Sequence, residues 1–213
     1  MAIGCLPSDD FELTDAVTPV SRDTTFTPVQ GYCHAVYRNK ETAAETPVII
    51  ISLTREKIME VFLALLDALG DTVDVALDSS HDHVHGGDVP DREFRREDID
   101  LPVLKSFAGE YGDLLVHDGC TSIGVFNPDL CREVQIDAHK LLFVYGGDCM
   151  EWETILRKHA ILPRENMTFI NAVDHMHSSS DCHAEQFEEL RCRLGAEEDG
   201  DDDREESNRA ANC

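Results

Sequence analysis

A continuous apolar run, Pro47-Val48-Ile49-Ile50-Ile51-Ser52-Leu53, leads directly into a stretch where Ile58, Val61, Phe62, Leu65, Leu66 and Leu69 recur at helical spacing. The run is short and rich in β-branched residues, the pattern of a strand buried on both faces. The following segment, from about Thr54 to Leu69, carries a single apolar stripe and stops at Gly70. A strand of that kind needs a sheet around it, and a one-striped helix needs a sheet to lie on. An all-helical or fibrous chain is therefore excluded.

The rest of the chain repeats the two patterns. Thr72 to Leu77 alternates as a strand, and Ser122 to Phe126, Glu133 to Asp137 and Leu141 to Tyr145 read as a meander. Asn127-Pro128-Asp129 and Ala138-His139 supply its turns. Helices are predicted from Asp100, with Pro102 in the first turn, to about Tyr111. Another starts at Asp148, with Glu151 three residues on and Trp152, Ile155 and Leu156 inward. Met167 to Val173 reads as the last strand. After it the run Ser178-Ser179-Ser180-Asp181 offers N-caps to a helix striped by Phe187, Leu190 and Leu194. The fold expected is a single α/β (or α+β) domain, a mixed sheet of about five to six strands flanked by about four helices. It spans residues 46–195, after a poorly structured lead-in (1–45) and before a disordered acidic tail (196–213). Residues 79–99 read as one long polar loop.

Charge narrows the function. The formal net charge is -25, from 18 basic and 43 acidic residues. Glu197 to Glu206 alone sets eight acids against one Arg. Such a surface repels phosphates, so nucleic-acid and membrane binding are disfavoured, while a basic protein partner is admissible. No apolar run approaches the ~20 residues of a membrane span. The N-terminus has no basic region followed by an apolar stretch. The eight cysteines form no Cys-x-x-Cys pair, which argues against zinc ribbons and suits a reducing cytoplasm.

Five of the ten histidines fall in two short clusters, His81-Asp82-His83-Val84-His85 and Asp174-His175-Met176-His177. Imidazoles two residues apart on extended backbone project to the same side. His81, His83, His85, His175 and His177 are thus the candidate ligands for a divalent metal, zinc, manganese or iron, with Asp82 or Asp174 orienting a ligand or acting as base. Over eight residues, Ser80 to Gly87 resembles the His-x-His-x-Asp-His loop of metallo-β-lactamase-fold hydrolases. Position 85 is His where that motif has Asp, and position 86 is Gly where it has His, so membership does not follow. Elsewhere, Ser178 to Asp181 is a possible anion site, His183 is assigned to packing, and His117-Asp118-Gly119-Cys120 sets a thiol beside a base. Phosphate loops, dinucleotide fingerprints and nucleophile elbows are absent. Two readings follow. One is a non-catalytic acidic domain acting through protein contacts; the other is a small metal-dependent hydrolase using the two histidine clusters.

Overall fold

Eight strands form one antiparallel sheet in this computed structural model, which describes residues 11–20, 26–38, 43–81 and 91–198. In chain order the strands are β1 (Val17–Pro19), β2 (Gly31–Arg38), β3 (Glu45–Ser52), β4 (Thr72–Ser79), β5 (Arg92–Asp100), β6 (Thr121–Asn127), β7 (Arg132–Ile136), β8 (Leu142–Tyr145), β9 (His175–His177) and β10 (Glu197–Glu198). The helices are α1 (Arg55–Leu66), α2 (Leu101–Glu110), α3 (Gly112–His117), α4 (Cys149–Lys158) and α5 (Asp181–Leu194). The main sheet runs β10-β5-β4-β6-β7-β8-β3-β2, and β1 pairs with β9 in a separate two-stranded ribbon.

Register explains why the sheet coheres. Phe94, Leu77, Ile123, Ile136, Leu142, Ile51 and Tyr32 stand opposite one another on seven successive strands. A parallel row holds Val75, Val125, Val134, Val144 and Ile49. All twelve are buried on one face, where residues of all five helices pack against them. Cross-strand apolar pairs of this kind are the unit of sheet stability. Among the described residues no helix is long and apolar enough to cross a membrane.

The α+β class stands, with more strands than expected and the helices on one face. The other face of β3 is therefore not sandwiched, and Ile50 lies half-buried there opposite Phe143. The expected loop 79–99 contains β5. Its alternation is hidden by a bulge opposite Val73–Val75, where Asp98 takes φ 52° and its N–H donates to Asp74 Oδ1 at 2.8 Å. Phe94 and Ile99 consequently reach the same face at uneven spacing. The expected strand 167–173 is instead a turn of 3-10 helix, Ile170–Ala172, whose Ile170 joins a second small core with Ala16 and Val17. Part of the expected lead-in is β1 and β2, the latter covering Gly31 to Tyr37, the one stretch of the lead-in whose residues could make a strand, and Glu197–Glu198 close onto β5. The acidic residues beyond 198 lie outside the described residues.

Two outcomes are expected. Ile123→Ala should cost about 2–5 kcal/mol in a urea melt, since it empties the middle of the row. Asp78 faces Glu93 across the strand pair, and desolvation by its neighbours followed by the Glu93 charge pushes its carboxyl up to about 6, although the side chain still reaches solvent. The unfolded chain releases that proton near pH 4, so this residue's contribution to stability falls as pH rises from about 4 to 6. Asp78→Asn should abolish that fall and raise the melting temperature at pH 7. The gain is held to about 1 kcal/mol or less by the side chain's exposure to solvent.

Candidate metal centre

The ribbon β1–β9 brings the second histidine cluster to the end of the sheet. Val17 pairs with His177 and Pro19 with His175, so both imidazoles leave the same side of β9 while Met176 points away, 57% exposed. Below them the β7–β8 turn presents His139. Asp137 builds that turn: its Oδ1 accepts from the Leu141 N–H at 2.9 Å, and Lys140 adopts φ 62°.

The three rings form a nearly equilateral triangle. Centroid distances are 4.8 Å for His139–His175, 4.9 Å for His139–His177 and 5.1 Å for His175–His177, with interplanar angles of 71°, 68° and 65°. One nitrogen from each lies within 4.8 Å of the others, and His139 Nε2 is 3.1 Å from His175 Nε2. Ligand atoms around a tetrahedral zinc with ~2.1 Å bonds stand about 3.4 Å apart.

The other nitrogens fix the tautomers. His139 Nδ1 meets Asp137 Oδ2 at 2.9 Å, His175 Nδ1 meets the Val173 carbonyl at 2.7 Å, and His177 Nδ1 meets the Gly119 carbonyl at 2.8 Å. Those oxygens only accept, so each Nδ1 carries the proton and donates it. In the neutral imidazoles all three Nε2 atoms are then bare lone pairs. Two lone pairs 3.1 Å apart repel unless a proton or a metal ion lies between them. Burial, and then the neighbouring His139, His175 and Lys140, push the His177 imidazole down against the opposing Gly119 hydrogen bond, which favours the neutral ligand form.

Gly119 permits the close approach. It donates its N–H to the Ser178 carbonyl at 2.8 Å, while the Ser178 N–H donates to the Ala16 carbonyl at 2.8 Å. A Cβ on Gly119 would overlap the Ala16 oxygen and stand 2.9 Å from Ser178 N and O. Lys140 is buried beneath, its Nζ donating to the Thr121 carbonyl at 2.7 Å, and burial pushes it down to about 8.

His81 is not part of this triangle. It follows β4 and lies against Asp118, with Nε2 2.9 Å from Oδ2, and His183 of α5 lies on the carboxylate's other side. His83 and His85, with Asp82, lie outside the described residues. The structure thus unites His175 and His177 with His139, not with His81. The legible sign of His139 was the Asp-x-His spacing in a tight turn. The Cys120 thiol is buried and pushed up by that burial, the opposite of an activated nucleophile, and the His117 ring faces Asp15. Ser180, from the serine run, caps α5 by accepting from the His183 N–H at 3.2 Å.

No protein-family model matches the chain, and no curated protein or solved structure matches it either. The chemistry is therefore read from the site alone. Gly119→Ala should lower stability by about 1–3 kcal/mol in a denaturant melt, the usual cost of overpacking. It should also weaken metal binding by pushing the His177 anchor away.

Proposed function

We propose that the protein is a divalent-metal hydrolase whose ion is held by the Nε2 atoms of His139, His175 and His177. The observation that carries this reading is the convergence of one nitrogen from each of three imidazoles within 4.8 Å, each ring fixed by a hydrogen bond through its Nδ1. Hydrogen bonds from the far nitrogen of a ligating histidine to a carboxylate or carbonyl orient and strengthen the ligand. Three nitrogens leave a fourth position for water, the arrangement of catalytic rather than structural zinc. A metal bound there would lower the pKa of that water and polarise a carbonyl.

Substrate class follows from shape and charge. The cavity beside His139 is about 20 Å³, enough for one water, so substrate must approach from the solvent side where His177 is exposed. The net charge of -25 disfavours anionic phosphoesters and favours neutral or cationic esters and amides. A reducing cytoplasm is the compartment that eight thiols without a Cys-x-x-Cys pair fit best. The alternative of a protein-contact domain has less support. Of the large exposed apolar residues, Val36 and Tyr37 adjoin on β2 and Val20 and Met176 lie at the ribbon, while Val103, Leu130, Met150 and Leu162 belong to separate elements and turns.

The test is zinc titration followed by an esterase assay. His139→Ala/His175→Ala should lose one zinc equivalent that the parent protein binds. Asp137→Asn should bind about 10–100-fold more weakly, because His139 loses its anchor. Affinity should fall as the solution is made more acid, because a ligating imidazole must give up its second proton. The zinc-loaded protein should hydrolyse 4-nitrophenyl acetate with a rate that rises towards alkaline pH. Unchanged zinc binding in the double variant would remove the site, and zinc binding without ester hydrolysis would make the ion a structural staple between ribbon and turn.

A further inference from the structure

Strand β2 ends the main sheet, and one side of it faces away from β3. Residues 162–164 run along the start of that side: the Tyr32 N–H donates to the Leu162 carbonyl at 3.2 Å, and the Arg164 N–H donates to the Tyr32 carbonyl at 2.8 Å. Tyr32 therefore turns both of its backbone groups outward, and by the alternation of an antiparallel strand His34, Val36 and Arg38 do the same. Among the described residues no backbone group hydrogen-bonds those three on that side. The strand is regular there, eight residues in unbroken register with β3, without a proline or a bulge. Val36 is 61% exposed and Tyr37 50%. An edge of this kind is a template for another strand. The opposite edge differs: β10 is two residues long, and its Glu198 is held by Arg92 at 3.0 Å.

We propose that β2 pairs antiparallel with β2 of a second copy of this chain, Val36 standing opposite its own counterpart on the two-fold axis. This register lets His34, Val36 and Arg38 each exchange both of their outward bonds, with His34 opposite the second copy's Arg38. An axis at Ala35 would carry Arg38 onto Tyr32, whose groups residues 162–164 already hold, and an axis at Tyr37 would move His34 past the end of the other strand. The side chains agree with the axis at Val36. On the helix-bearing face His34 Nε2 lies 3.0 Å from Glu153 Oε1 of α4. The second copy's Arg38 arrives beside His34 on that face, so its guanidinium reaches the same carboxylate. On the open face Ala35 stands opposite the second copy's Tyr37, small against large, next to the edge-on contact of Tyr37 with Tyr145 at 6.3 Å. Val36 meets its counterpart and loses its exposure. The net charge of -25 on each copy opposes association, so the pairing rests on these local contacts.

Sedimentation velocity of the full-length protein tests this, from micromolar to near-millimolar concentration, in salt of about 0.15 M that screens charges more than ~8 Å apart. The parent should shift from 23.8 kDa to twice that mass as concentration rises. Val36→Pro deletes an outward N–H that β3 does not use, so the protomer keeps its own sheet and an unchanged circular dichroism spectrum. It should stay at the single mass throughout. Val36→Lys, which sets two ammonium groups on the axis, should do the same and covers a failure of the proline variant to fold. Arg38→Glu and Glu153→Arg should each weaken the dimer, and the two changes combined should restore it. A parent that remains at 23.8 kDa at every concentration would overturn the proposal. A dimer that survives both Val36 variants would overturn it too, by placing the contact elsewhere. Dissociation by the Val36 variants without rescue by the charge exchange would overturn the register about Val36.

Discussion

The row of side chains running from Phe94 to Tyr32 across seven strands is what the rest of the molecule depends on. Each member is apolar or aromatic and excluded from water, and each touches a neighbour on the next strand. The row sets the register of every pairing in the main sheet, because a one-residue slip would turn the apolar set outward. The β7–β8 turn that carries His139 is placed by it, as is the approach of residues 117–120 to β6. The candidate metal centre has only a small core of its own beneath the ribbon.

Much of that framework was readable in the chain. The run at 47–53, the α1 stripe and the three meander strands sit within a few residues of where periodicity put them. What escaped had physical causes. β5 carries one acid and three arginines from 92 to 96 around Phe94, and its bulge breaks the two-residue period. The apolar residues of 167–173 look like a strand but serve a small core under the ribbon. β9 is only three residues long, and two of those are histidines, so no strand propensity announces it. At the site, His175 and His177 were visible from their spacing. His139 was harder to single out, because the Asp-x-His spacing of a tight turn is its one local sign and its two partners lie on a ribbon far along the chain.

In the histidine triangle hydrogen bonds decide the chemistry. A histidine offers a lone pair on one nitrogen when an acceptor claims the proton of the other. Backbone carbonyls do this for His175 and His177, and the Asp137 carboxylate does it for His139. The resulting polarity is expensive to maintain without a cation, which is why the arrangement reads as preparation for one. Lys140 adds a buried positive group that Asp118 and Asp137 face electrostatically.

The ribbon joins residues from opposite ends of the chain, Val17 meeting His177 about 160 residues later. Contacts so distant in sequence close late in folding, because loop entropy must be met before they contribute. Two of the three nitrogens of the candidate centre therefore come together only after the main sheet has formed. The ribbon is short, with a small core beneath it, so it should open locally while the sheet stays closed. An ion held there would act as a latch on that opening, coupling the metal supply to how tightly the ends of the chain are held together.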